Sequence, residues 1–106
     1  MDDLTELRED LKEAEAIKKQ YENLKQLKTN IYWKKLIDEG LFTDHVKDLV
    51  GGLYNPKIKE ENLEVLTGIS CLKQYLDKVE QEGKLAEGRI KDILHTINIV
   101  TEELTQ

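Results

Sequence analysis

With 106 residues, this chain is long enough for one small domain with a modest core. Charged residues make up 36% of it, above the roughly 25% of ordinary globular proteins, and they are interleaved with Leu and Ile as extended helices require. The formal net charge of −6 disfavours binding of the whole chain to nucleic acid or to anionic lipid.

Cysteine content and hydropathy indicate the cellular compartment of the protein. The single cysteine, Cys71, excludes an internal disulfide and gives no sign of an oxidising environment. Residues 2–15 are acidic and amphipathic, unlike a secretory signal. No apolar run approaches the ~20 residues that a helix needs to cross a bilayer. The sequence therefore predicts a cytoplasmic protein with no membrane partner.

The first predicted element is a helix over residues 1–28. Asp2 and Asp3 suit its start, because short acidic side chains accept hydrogen bonds from the first free amides. Acids dominate its first half and lysines its second, which complements the helix dipole. Apolar side chains recur along one stripe at Leu4, Leu7, Leu11, Ala14, Ile17, Tyr21, Leu24 and Leu27.

Residues 30–55 predict a bend that contains two short helices. Asn30 suits the N-cap of the first short helix. Gly40 is placed to end that helix in the left-handed conformation, with Leu41 and Phe42 folding back onto its apolar side.

The second short helix of the bend is expected from position 44 to about position 49. Thr43 suits its N-cap, and the Gly51-Gly52 pair suits its end. The Asn55-Pro56 dipeptide then indicates a turn, because Asn-Pro favours turn initiation.

A long helix over residues 57–105 carries the strongest pattern of the chain. Its apolar or small residues alternate in steps of three and four, which is the heptad signature of a coiled-coil seam. Gly83 and Ala86 predict either a kink or a waist that admits a bulky side chain such as Tyr21 or Trp33. The seam comprises Val65, Ile69, Leu72, Leu76, Val79, Gly83, Ala86, Ile90, Ile93, Ile97, Val100 and Leu104.

Together these elements predict an all-α fold: a long C-terminal heptad helix, an antiparallel N-terminal helix and two short helices at the bend, in a single helical domain (1–106). At helical rise, the stripe of the first helix spans about 36 Å and residues 62–104 about 63 Å. A hairpin alone is therefore expected to leave about half of the long seam bare.

We therefore expect homo-oligomerisation, or docking on a partner protein, through the C-terminal half of the seam. Parallel pairing is disfavoured because it would set Glu82 against Glu87 of the partner subunit, but subunit number and orientation stay open. The expected interface residues are Ile90, Ile93, Leu94, Ile97, Val100 and Leu104.

No constellation of residues indicates catalysis, a metal or a cofactor. His45 and His95 are isolated in sequence, and Cys71 has no Cys or His within helical reach and no evident base. The Gly51-Gly52 pair does not open a helix through a Lys-Ser/Thr pair, as a phosphate-binding loop would. We expect a protein that is not an enzyme.

A basic stretch, residues 18–35, is interleaved with Tyr21, Tyr32 and Trp33. Lysines with aromatics can grip phosphates and stack on bases, so a small regulatory nucleic-acid-binding protein is the alternative function. In the competing interpretation, the lysines balance the helix dipole and the aromatics pack into the bend. The candidate anion contacts are Lys25, Lys28, Lys34 and Lys35.

The segment Asn30-Ile31-Tyr32-Trp33-Lys34-Lys35-Leu36-Ile37-Asp38-Glu39-Gly40-Leu41-Phe42 resembles small helical coiled-coil proteins encoded among the virion and head genes of tailed bacteriophages. Gln74-Tyr75-Leu76 and Gly83-Lys84-Leu85-Ala86-Glu87 fit the same pattern, while His45 and Lys47 depart from it. The resemblance implies a non-enzymatic structural or assembly protein of the capsid or portal, with other virion proteins as partners, located in the host cytoplasm or the virion.

Overall fold

The computed structural model describes residues 3–105, and every regular element in that range is helical. An all-α fold with a long C-terminal helix, an N-terminal helix and a helical bend is confirmed. The elements are α1 (Asp3–Lys28), α2 (Ile31–Trp33), a π-helix (Lys34–His45), α3 (Val46–Gly51), a 3₁₀ helix (Gly52–Tyr54) and α4 (Lys59–Thr105).

The contacts divide the described chain into two units. The terminal unit consists of the chain up to Leu24 together with the chain from Val79 onward. The central unit is Lys25–Lys78. The predicted single helical domain (1–106) included no such division.

The terminal unit is an antiparallel pair formed by α1 and the distal half of α4. At one end, Leu4 lines a surface groove with Val100 and Leu104. At the other end, Tyr21 lies against Gly83. Residues early in α1 therefore contact residues late in α4, and residues late in α1 contact earlier residues of α4. The two helices are antiparallel, as the predicted hairpin requires.

The waist of the long helix is the best-buried part of the terminal unit. Gly83 and Ala86 are buried, as are Ala14 and Tyr21 of α1. A Cβ built on Gly83 would overlap the Cβ and ring atoms of Tyr21, so the glycine makes room for the tyrosine. The packing of Tyr21 on Gly83 matches the predicted waist, and the helix is unbroken from Lys59 to Thr105.

Coverage of the long seam differs from expectation. The sequence predicts that a hairpin leaves the last turns of the long helix bare. Instead Leu7 lines a groove with Thr96 and Val100, and Ile90 and Ile97 are half-buried within the single chain. The premise that the C-terminal half of the seam lacks an intrachain partner is wrong, because the bend occupies the proximal half of α4 and α1 is left with the distal half.

In the central unit, the predicted break after α1 is confirmed. Asn30 has an extended backbone (φ −73°, ψ 130°), and its side-chain oxygen accepts a hydrogen bond of 2.8 Å from the amide of Tyr32. This is the N-cap arrangement, which satisfies one of the free amides at a helix start. Asn30 therefore redirects the chain and starts the next helix in one step.

Asn30→Ala is expected to lower the free energy of unfolding by about 1 kcal/mol, because the substitution leaves the Tyr32 amide without its acceptor. Asn30→Asp keeps the acceptor and is expected to stay close to the parent protein. Urea titration followed by far-ultraviolet circular dichroism measures both. An equal loss in the two variants would contradict a capping role for the side chain.

The expected helix end at Gly40 is wrong. No described glycine has a positive φ, and the chain stays helical through the π-helix into α3. A Cβ on Gly40 would lie 3.0 Å from the carbonyl oxygen of Lys35, five residues back. Glycine here serves close approach to the preceding turn of a wide helix rather than chain reversal.

The expected N-cap at Thr43 is also wrong. Its hydroxyl donates to the carbonyl oxygen of Asp38, five residues back, at 2.9 Å. That is back-bonding from within a helix, on the i−5 spacing of π geometry. The following helix accordingly begins at Val46 as a continuation, with no side-chain cap at His45.

The π-helix and α3 pack antiparallel along the proximal half of α4. Phe42 and Val46 line a groove with Ile69, and the ammonium of Lys73 lies 6.0 Å from the centroid of the Phe42 ring. That distance is at the limit of a cation–π contact. This packing makes the bend a cover for α4 rather than a simple turn.

Near the turn at Asn55, a buried leucine of α3 and a side-chain amide of α4 connect these two helices. Leu49 is buried, and its carbonyl oxygen accepts a 3.0 Å hydrogen bond from Nδ2 of Asn62. The chain then turns at Asn55, whose side-chain oxygen accepts from the amide of Lys57 at 3.0 Å. The turn expected at Asn55-Pro56 is correct, and the long helix, predicted to begin at residue 57, begins at Lys59.

Candidate association surface

The sequence-predicted interface residues lie in the terminal unit, on or beside the face of α4 that meets α1. Ile90, Ile93, Ile97 and Val100 are half-buried within the single chain. Leu94 is 45% exposed and Leu104 is 73% exposed. The structure thus splits the predicted set into four residues that serve the intrachain pair and two that remain open.

Exposed apolar surface is concentrated elsewhere, in the central unit. Of the fifteen exposed large apolar side chains in the described chain, eleven belong to that unit. By contrast, only five apolar side chains within residues 3–105 are buried. Such a small core favours association, since small helical folds commonly gain stability from a partner. The eleven are Leu27, Ile31, Tyr32, Leu36, Val50, Tyr54, Ile58, Leu63, Val65, Leu72 and Tyr75.

The heptad of α4 shows why the proximal seam is open. With Ile69 at position a, the bend covers positions a, e and b, where it meets Leu66, Ile69 and Ser70. Positions d and g turn away from that cover. Val65 and Leu72 at d are 39% and 41% exposed, and Tyr75 at g is 59% exposed.

A glycine lies in the middle of this exposed face. Gly68 occupies position g between Val65 and Leu72, and a Cβ built on it would meet no atom within 4 Å. Glycine inside a helix costs about 1 kcal/mol relative to alanine, and packing inside the described chain gives no reason for it here. We call Val65, Gly68, Leu72 and Tyr75 the open strip.

The open strip was missed in the sequence, although its signal was present. In the sequence prediction Val65 and Leu72 are members of the seam, and Gly68 has no role. A small residue between large apolar ones at positions d and g, flanking a complete a/d seam, marks a second apolar face on the same helix.

The candidate anion contacts fall on two elements. Lys25 and Lys28 belong to the last turn of α1, where their positive charges interact favourably with the negative end of the helix dipole. Lys34 and Lys35 begin the π-helix, on the far side of the break at Asn30. All four are exposed.

The aromatic residues of that basic stretch serve the fold more than the surface. Tyr21 is buried against Gly83, and Trp33 is half-buried. The Nε1 atom of Trp33 is itself buried, with no hydrogen-bond partner among the described residues. Only Tyr32 presents an open ring for stacking. These positions favour the interpretation in which the aromatics pack within the protein.

Residues with catalytic or ligating chemistry stay apart. Cys71 is exposed, as are His45 and His95. Within residues 3–105, no group of three His, Cys, Asp or Glu side chains converges where a metal ion could bind. No helix in the described range has the length and apolar character to cross a membrane.

No protein-family model, curated protein or solved structure matches this chain. A functional assignment therefore depends on the chemistry and the geometry of the surfaces described above.

Proposed function

We propose that this chain is a non-enzymatic helical assembly protein that associates with other protein chains through apolar helical faces. The observation that carries the proposal is the exposure of Val65, Leu72 and Tyr75 on one face of α4. Contiguous apolar surface of this kind on a small protein is typical of a protein interaction site. The main contact then lies in the central unit rather than at the C-terminal half of the seam.

The resemblance of residues 30–42 to virion-gene proteins of tailed bacteriophages supports placing this assembly protein in a capsid or portal. An association role fits that setting, since virion components act by contact with copies of themselves and with neighbouring proteins. The alternative, a nucleic-acid-binding regulator, receives less support, because Tyr21 and Trp33 are engaged within the fold.

Leu72→Asp is expected to weaken self-association of the full chain at least about tenfold, because a charge would have to be desolvated at the contact. Light scattering coupled to size-exclusion chromatography over a range of protein concentrations measures the change. Leu85→Asp is the matched control, since Leu85 is also an exposed leucine of α4 but lies outside the open strip.

Two results would count against the proposal. A parent protein that stays monomeric at every concentration overturns self-association. An oligomer that is weakened equally by Leu72→Asp and Leu85→Asp overturns the open strip as its contact surface.

A further inference from the structure

We propose that the occupant of the open strip is a second copy of this chain, packed antiparallel about a two-fold axis close to residue 70. This inference depends on the proposed function and specifies its partner and geometry. The strip lies within a single helix, so its order along the chain determines which residues meet in each orientation.

Side-chain size selects the antiparallel arrangement. Val65 and Tyr75 are equally distant from residue 70, and so are Gly68 and Leu72. An antiparallel two-fold therefore sets Gly68 against Leu72 of the partner subunit and Val65 against Tyr75 of the partner subunit. Each contact pairs a small residue with a larger one, and the open space beside Gly68 receives the leucine.

In parallel packing of the same strip, the sizes of the facing side chains are not complementary. It would place Gly68 against Gly68 of the partner subunit and Tyr75 against Tyr75 of the partner subunit. The first contact leaves a gap and the second crowds two rings, and a well-packed interface tolerates neither. Because the axis is two-fold, both subunits contribute the same surface patch to the contact, as in most homodimers.

Charge at the edge of the strip agrees with the antiparallel arrangement. Position c borders position g around the helix, and in the proximal half of α4 it holds Glu64, Cys71 and Lys78. Glu64 lies six residues before residue 70 and Lys78 eight residues after it, so the two-fold brings Glu64 to within about 3 Å, along the helix axis, of the level of Lys78 of the partner subunit, twice per dimer. Lys78 also has an interaction within its own chain, so this contact guides orientation more than affinity.

Cys71 is the natural reporter of this geometry. It is the only cysteine of the chain, it is exposed, and it lies near the proposed axis. In the antiparallel dimer, position c faces position c of the partner, so the two Cys71 thiols lie side by side. In a parallel pair, position c of one chain faces position a of the other, and the two thiols fall on opposite edges of the interface.

The first test joins two different single-cysteine variants. Glu64→Cys and Lys78→Cys are each made in a Cys71→Ser background, mixed, and treated with a short bismaleimide. The antiparallel dimer is expected to give a covalent heterodimer, while each variant alone gives little product. In a parallel pair the two positions are 14 residues apart, or about 21 Å along the helix, and the mixture would gain nothing over the separate variants.

The second test fills the space beside Gly68. Gly68→Leu is expected to weaken dimerisation at least about tenfold by blocking the partner's leucine. Gly88→Leu is the matched control, because Gly88 also has open space around it but lies outside the strip. It is expected to leave the dimerisation constant unchanged. Circular dichroism of both variants confirms that each is folded.

The outcomes separate this inference from the proposed function. A dimer that resists Gly68→Leu, or that gives no mixed cross-link, overturns the antiparallel contact and leaves association through another face. A chain that is monomeric by light scattering overturns this inference together with self-association, and it leaves docking on a different protein as the proposed function. A mixed cross-link together with selective weakening by Gly68→Leu supports both.

Discussion

Gly83→Leu is expected to lower the free energy of unfolding of the terminal unit by about 3 kcal/mol, at the upper end of the usual cost of overpacking. The cause is geometric. Even the Cβ atom would overlap the Cβ and the ring of Tyr21, and a tyrosine Cβ cannot move without moving the backbone of α1. The gain in helix propensity from replacing glycine, about 1 kcal/mol, is too small to offset this clash.

Gly88→Leu provides the matched control for this prediction. Gly88 lies in the same helix, and a side chain there would meet no atom within 4 Å. The substitution is expected to raise the free energy of unfolding by up to about 1 kcal/mol through propensity alone. Denaturant titrations of both variants should therefore move in opposite directions from the parent protein.

A double mutant tests whether Tyr21 is the cause. In a Tyr21→Gly background, which removes the Cβ as well as the ring, Gly83→Leu is expected to raise stability, because the leucine fills space that the tyrosine vacated. A loss of similar size with and without Tyr21 would contradict the close packing of these two residues.

The two long helices and the break between them could be predicted because each depends on local information. The apolar spacing of α1 and α4 fixes helical structure and the face that each helix presents, and Asn30 has the right side chain at a helix start. The antiparallel arrangement followed from the same seam. These features need no knowledge of distant contacts.

The interior of the bend could not be predicted, because its key residues have more than one use. Glycine ends helices often, but Gly40 instead gives space to the carbonyl of Lys35. Threonine caps helices often, but Thr43 instead donates back to Asp38 within the π-helix. Choosing between these uses requires the tertiary packing against α4, which local sequence does not specify.

Which part of the long seam lies open depends on register, and register depends on how much of α4 the bend covers. A compact bend would have shifted α1 toward the proximal turns and left Ile93 and Ile97 bare. A helical bend that packs along α4 shifts α1 to the distal turns and leaves positions d and g of the proximal half open. Heptad spacing is identical in the two cases, so it identifies the seam without identifying its cover.

Ile93→Asp is expected to lower the free energy of unfolding of the terminal unit by about 2–4 kcal/mol. Ile93 is half-buried on the face of α4 that α1 covers, so the substitution removes apolar contact and places a carboxylate against the partner helix. Leu94→Asp is the matched control. Leu94 is 45% exposed, and we expect a loss under about 1 kcal/mol there.

The protein-concentration dependence of this loss separates the two possible roles of the distal seam. If α1 of the same chain covers Ile93, the difference between variant and parent stays constant when protein concentration is raised about a hundredfold. If the distal seam instead joins two chains, as the sequence led us to expect, the parent gains stability with concentration and the variant does not. The difference would then grow by about 2.7 kcal/mol across that range. A constant difference, together with near-parent behaviour of Leu94→Asp, would leave the open strip of the central unit as the face available to other chains.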